Sequence, residues 1–432
     1  MLRVYLAGEE RVLRPDPAMP PGREGAVYRD PVDPDFVIKI PHTPDDEWRE
    51  KLEVMLAKPL NALDVAWPTD KVLSSDGTTI VGCRLPYAAN KFAISDVYTN
   101  DPQSRWLTAD YAFRLQVATN LAVAIDRIHK HGCMVGDIAP KNILVGKDGT
   151  LCIIDADSFQ VTNNNGQVFR CKVGTPEYTP RELHGLQFSE VDRTVQHDAF
   201  GLAAFIFQLL VGPGTHPFMG RYTGVGPKYS LIERIAHGIW PYAQNGHAAY
   251  EPRTDSPLDL LHPLLQPLVF CCFQLGHTDP AERPLPEKWI AALNSVQQDT
   301  DFVRVTAPRL EAASQLRHRK TLLAANAAPA QRPRAGGIVS MATAALRRPW
   351  IWKTVLASAT CMLLLAMGIG IYCAMPDGPR IPFAGKSKHP LPTPTFYGVS
   401  SATHPTNRRE PRSESGLLQT PAFYREIAAP YR

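Results

Sequence analysis

The chain lacks any cysteine pair at metal or redox spacing. Its eight cysteines stand at positions 83, 133, 152, 171, 271, 272, 361 and 373, with no Cys-x-x-Cys among them. That excludes a zinc module or a disulfide-stapled secreted domain and fits reduced thiols in a cytosolic body. Cys271 and Cys272 fall in the apolar run PLVFCCFQL and read as core residues. The opening residues, MLRVYLAGEERVLRP, have neither a long apolar core nor a small-residue cleavage site, so no secretory signal is expected. A basic body is also missing. Residues 301–349 carry nine Lys/Arg against only Asp301 and Glu311, and since the whole chain is only +4, the first 300 residues are net acidic. Nucleic acid is therefore not an expected partner.

Long hydrophobic runs are absent with one exception. From Thr354 to Ala374, TVLASATCMLLLAMGIGIYCA, no charge and no proline interrupts 21 residues. About 20 apolar residues suffice to span a bilayer. The chain thus divides into a folded body (1–300), a basic juxtamembrane linker (301–349), a single transmembrane helix (350–375) and a Pro-rich tail (376–432). That tail has ten prolines and little apolar periodicity, and is expected to be extracytoplasmic and disordered. Basic residues flank the span on both sides, slightly more before it than after, which favours a cytoplasmic body in a single-pass membrane protein. Ala366 and Gly370 make a small-xxx-small pair within the span, a feature that allows a homodimer.

The body has the composition of a globular domain, and its chemistry centres on MVGDIAPKNILV, residues 134–145. Asp137 is followed five positions later by Asn142 and then by an apolar strand. A KDGT turn and a second strand, LCIID, end in Asp155. A hairpin of this kind gathers one proton acceptor and two oxygen donors suited to a hard cation such as Mg²⁺. Upstream, FVIKI places Lys39 in an otherwise apolar strand-like run. Such a lysine either snorkels at a sheet edge or meets an anion. In PPGREGAVYRD, Gly22 and Gly25 precede Val27; they form either a hairpin turn or a backbone that phosphates can approach. DDEWREKLEVMLAKPL reads as a helix with the stripe Trp48, Leu52, Met55 and Leu56, stopped by Pro59. A longer amphipathic helix spans 108–131 and stops at Gly132, with His129 and His131 read as surface or C-terminal helix residues.

In this order the segments resemble the eukaryotic-like (Hanks-type) protein kinases over about residues 5–300. The set VAWPTD, GDIAPKNILV, IIDADSFQV, GTPEYTP and HDAFGLA is similar to a bacterial subgroup, some of whose members are membrane-anchored. The resemblance implies an α+β, two-lobed fold, with a small β-rich N-lobe and a larger helical C-lobe, followed here by the transmembrane helix. It implies a Ser/Thr kinase using ATP and Mg²⁺. Asp137 would be the base, Asn142 and Asp155 the metal ligands, and Lys39 the holder of the α- and β-phosphates. Glu53, or failing it Glu50, would align Lys39. Gly22, Gly25 and Val27 would cover the nucleotide, and backbone near Leu85–Tyr87 would meet adenine. Asp198 would tie down the catalytic loop, and Arg283 would pair with Glu182.

Four positions depart from the family pattern. Val135 and Gly136 replace its His-Arg, so activation by phosphorylation of the loop is not expected. Asp155-Ala156-Asp157 replaces Asp-Phe-Gly, and Ala139 replaces a lysine, for which Lys141 is the candidate substitute. The alternatives are a nucleotide-binding pseudokinase serving as a membrane-tethered scaffold, or a small-molecule kinase on the same fold. Protein substrates are not legible from the sequence.

Overall fold

A two-residue turn starts the fold. β1 (Leu2–Leu6) and β2 (Glu9–Leu13) pair antiparallel, from Leu6↔Glu9 to Leu2↔Leu13. Between them Ala7 and Gly8 both take positive φ, 51° and 81°, the geometry that matches a turn to the strand twist. The computed structural model describes residues 1–310 and 312, apart from 18, 20, 23, 99–108, 213 and 255. The apolar run 354–374, with Ala366 and Gly370, and the Pro-rich tail lie outside the described residues, as does the linker beyond residue 312. Among the described residues no helix is long and apolar enough to cross a membrane.

β3 (Gly25–Arg29), β4 (Phe36–Pro41), β5 (Asp70–Leu73) and β6 (Ile80–Pro86) complete a six-stranded sheet ordered β2-β1-β5-β6-β4-β3. β3 is an edge. The stretch before it, PDPAMPPG, carries four prolines, which have no N–H to extend the ladder. β4 lies between β3 and β6, so Lys39 sits in an interior strand and the sheet-edge alternative falls. The two-residue period of β4 sorts its side chains by face. Ile38 joins Val4, Leu6, Leu13 and Val72 on one side. Val37 packs with Leu52, Cys83 and Leu85 on the other, the side that Lys39 shares. Leu52 belongs to α1 (Asp46–Ala57), which starts at an Asp45 N-cap accepting from Trp48 N at 2.7 Å and ends just before Pro59. Its buried residues are Leu52, Met55 and, against expectation for a helix stripe, Lys51.

The helical part begins with β7 (Lys91–Ala93), α2 (Ser95–Tyr98) and α3 (Tyr111–Lys130). β8 (Ile143–Gly146) and β9 (Leu151–Ile153) form the expected hairpin around the KDGT turn, with Gly149 at φ 78°, and β7 adds to its edge. The small ladder β10 (Val161–Thr162) with β11 (Val168–Phe169) follows. In α4 (Val195–Leu210) every residue from Asp198 to Leu210 is buried, so this helix is apolar on all sides and forms the spine of the core. β12 (Arg221–Tyr222), α5 (Leu231–His237) and β13 (Tyr250–Glu251) form an excursion. α6 (Gln266–Phe270) passes through a π turn at Cys271–Leu275 into α7 (Gly276–Thr278). α8 (Pro286–Gln298), which packs on α3, and α9 (Thr300–Val305) complete the body. All six cysteines among the described residues are free and buried, as the sequence implied.

Candidate active site

A buried carboxylate sets the loop that carries Asp137. Asp198, in the first turn of α4, accepts the backbone N–H of Val135 at 2.8 Å and of Gly136 at 2.9 Å. It also bonds His129 Nε2 at 2.9 Å. His129 is a C-terminal helix residue, one of the two expectations for it, and the last turn of α3 directs it inward, leaving its side chain only 8% exposed. An imidazole is thus restored beside the loop from α3, although Val135 occupies the family's histidine position.

Asp137 is 4% exposed, and both of its oxygens are held. Thr175 Oγ1 donates to Oδ1 at 2.7 Å, and Asn142 Nδ2 donates to Oδ2 at 3.2 Å and to the Asp137 carbonyl at 3.1 Å. Thr175 is in turn fixed by Thr179, whose hydroxyl donates to the Thr175 carbonyl at 2.8 Å. The 3₁₀ turn Pro140–Asn142 buries Ala139 and projects Lys141, whose Nζ lies 3.9 Å from Asp137 Oδ2. Lys141 therefore points toward Asp137, a direction the sequence left open.

Across the cleft, Lys39 Nζ contacts Asp155 Oδ1 closely and bonds Asp157 Oδ1 at 2.7 Å. Burial alone would lower the lysine's pKa, but the charges of Asp157 and Asp155 outweigh it and raise it. Asp155 takes a left-handed conformation, φ 68°, that turns its carboxylate toward Lys39. Glu53 is not the partner of Lys39. It pairs with Lys71 at 2.7 Å, half exposed, and Glu50 is exposed as well. The reason is helical phase. α1 presents Lys51 and Trp48 to the site: Lys51 Nζ donates to the Asp157 carbonyl at 2.6 Å, and Trp48 Nε1 reaches Asp157 Oδ2 at 3.4 Å. In the sequence Asp157 stands only as the last residue of the Asp-Ala-Asp that replaces Asp-Phe-Gly, and nothing in the pattern assigns it a partner.

Asp155 and Asn142 offer a hard-oxygen donor set that fits Mg²⁺. The amide nitrogen of Asn142 is the atom bonded to Asp137, so the amide oxygen is the one available to a cation.

On the nucleotide side, Gly22 and Gly25 form a tight turn. Gly22 N–H donates to Gly25 O at 2.8 Å, and His42 N–H donates to Glu24 O at 2.9 Å. Gly25 is required because a Cβ there would sit 2.5 Å from Ile40 O. The hairpin reading of this stretch therefore holds, and the Gly22 N–H is already engaged. Glu24 carries a raised pKa, first from burial and then from the charge of Asp155. Val27 and Tyr87 pack on the cluster of Val37, Cys83 and Leu85. Leu85 contributes apolar wall, since its side chain is buried in that cluster. Pro86 has no N–H, and Tyr87 N–H donates to Asp35 O at 2.8 Å, so these two do not supply an adenine donor.

The segment after Asp155 is held by contacts with the 134–145 loop, α1 and Arg193. Gly136, at φ 73°, faces Cys171; a Cβ at Gly136 would come within 2.6 Å of Cys171 Cβ and Sγ. Lys172 pairs with Glu47 and, at 3.8 Å, with Asp45 at the head of α1. Arg193 donates to Val173 O at 3.0 Å and stacks 4.0 Å from the Phe188 ring. Further on, Arg283 grips Glu182 with both ends of its guanidinium, at 2.5 and 2.9 Å, as the sequence implied.

No family model matches the chain. Protein kinase YegI of Escherichia coli (strain K12) is 33% identical over 301 residues, covering 66% of this chain and 45% of that protein. Its counterpart in Escherichia coli O157:H7 matches equally. The chain thus spans about half the length of the curated relatives it matches. Rho-associated protein kinase 1 of Homo sapiens is 32% identical over 94 residues, 21% of this chain and 7% of that one. A solved structure, the ROP18 kinase domain in complex with AMP-PNP and sucrose, aligns with a TM-score of 0.43 at 19% identity, covering 74% of this chain and 86% of that chain. With Lys39, Asp137, Asn142, Asp155, Glu182, Asp198 and Arg283 in their family order and partnered in space, the described body of this chain belongs to the eukaryotic-like (Hanks-type) protein kinases.

Proposed function

We propose that this chain is an ATP-dependent protein kinase that phosphorylates Ser or Thr hydroxyls, anchored in a membrane by residues 350–375 with its kinase body cytoplasmic. The observation that carries the catalytic part is the setting of Asp137: buried, oriented by Thr175 and Asn142, with Lys141 alongside. Asp137 would orient the acceptor hydroxyl and take its proton. Lys39 would hold the α- and β-phosphates, and Lys141 would offset charge on the transferred group. Asn142 and Asp155 would hold Mg²⁺, whose contribution is to neutralise the phosphate oxygens. Ser/Thr preference is supported by the family resemblance, and anchoring by the length and flanks of the apolar run.

The test uses the full chain with labelled ATP, Mg²⁺ and a generic protein acceptor, beside Asp137→Ala and Asp155→Ala. Label on Ser or Thr that both variants lose supports the proposal. ATP-dependent thermal stabilisation without transfer supports the pseudokinase scaffold, and turnover on a metabolite alone supports a small-molecule kinase. Extraction of the chain from membranes by alkaline carbonate would refute the anchor.

A further inference from the structure

We propose that Asp157, and no carboxylate of α1, is the positioning residue for Lys39, with α1 backing it through the hydrogen bonds of Lys51 and Trp48. This deepens the kinase reading and rests on it. Of the acids on α1, Asp46 is paired with Arg49, Glu47 with Lys172 and Glu53 with Lys71, and Glu50 is exposed. None reaches Lys39. The face of α1 that meets the site carries Lys51, 6% exposed, and Trp48. An acid on that face would be redundant, because Asp157 supplies the negative charge from the opposite wall. Its carboxylate is 9% exposed and touches both Lys39 and Trp48, while its carbonyl receives Lys51.

Two carboxylates then divide two tasks. Asp155 is the more exposed, at 22%, and is the one a cation would draw upon. Asp157 lies behind it, with oxygens committed to Lys39 and Trp48, and keeps hold of Lys39 when Asp155 turns to other company. Because the two residues are separated by Ala156 alone, alignment of Lys39 and formation of the Asp155 turn occur together. The pair is set by this turn and does not depend on a swing of α1, which Lys172 clasps at its head.

The experiment compares Asp157→Asn, Asp157→Glu and Glu53→Gln in the full chain, reading kcat, KM for ATP and ATP-induced thermal stabilisation. Asp157→Asn should lower kcat/KM about 100-fold, largely through KM for ATP, with Glu53→Gln within about twofold of wild type. Asp157→Glu, which keeps the charge, should retain more activity than Asp157→Asn. Moving the acid onto α1 in the double variant Asp157→Gly/Lys51→Glu should recover about tenfold over Asp157→Gly alone. Asp157→Asn within about threefold of wild type, or Glu53→Gln falling as far, overturns the proposal. Melting without nucleotide identifies any variant that fails to fold, and Trp48→Phe gives the share owed to packing. If wild type transfers no phosphate, the kinase reading fails by itself. ATP-induced stabilisation then decides the positioning role: lost in Asp157→Asn but kept in Glu53→Gln supports it, and any other pattern overturns it.

Discussion

Lys141 Nζ stands 3.9 Å from Asp137 Oδ2, reaching it from two positions beyond the buried Ala139. The lysine side chain is 73% exposed, so in the free protein this pair adds little stability, about 0–1 kcal/mol. Its value would lie in the charge it brings near the base. Lys141→Ala should therefore lower kcat about 10²-fold while leaving the melting temperature within about 2 °C of wild type. The converse change, Ala139→Lys, puts an ammonium into a position 1% exposed and should destabilise by about 3 kcal/mol or more. Steady-state kinetics and thermal melting of both variants check this. Equal activity in Lys141→Ala and wild type would remove Lys141 from the site.

The second expectation concerns the support of the loop. Asp198 receives two backbone N–H groups and His129 while its side chain is 1% exposed. His129→Ala should cost about 1–2 kcal/mol by leaving one carboxylate bond unmade, and Asp198→Ala about 2–4 kcal/mol by orphaning two buried donors. Chemical denaturation measures both. A larger loss for His129→Ala than for Asp198→Ala would contradict this order.

Gly136 tests whether the missing arginine could simply be put back. A side chain there meets Cys171 at 2.6 Å and needs φ near 73°. Gly136→Arg should thus destabilise by about 2–4 kcal/mol. It should also not make activity dependent on phosphorylation. Gly136→Ala/Cys171→Gly, which opens the space, should lose less than Gly136→Ala alone; equal losses would place all of the strain in the backbone.

Acid stability should depend on Glu182. Burial pushes its carboxyl up, but the hydrogen bonds and charge of Arg283 prevail and hold it below the ordinary 4.5. A depressed carboxyl contributes stability above its unfolded value and loses it as pH falls through the folded one. The contribution is therefore full at neutral pH and fades below about pH 4.5. Melting curves from neutral to about pH 3.5 should fall less steeply in Glu182→Gln than in wild type, and parallel curves would deny the linkage.

The sequence by itself determined the elements and their order. The apolar run FVIKI marked a strand without deciding edge or interior, and the spacing of Asp137, Asn142 and Asp155 marked a hairpin-borne site. These are local matters of period and turn chemistry, which adjacent residues settle among themselves. Tertiary structure alone decided the partners. Glu53 and Lys51 are two residues apart on α1, so they point about 200° from each other, and only docking against the sheet chose which one met the site. His129 drew its meaning from Asp198, 69 positions away, and Gly136 from Cys171, on a segment that folds back over the loop. Charge pairing within the site follows from the packing of distant segments, and no pattern within α1 or the 134–145 loop records it.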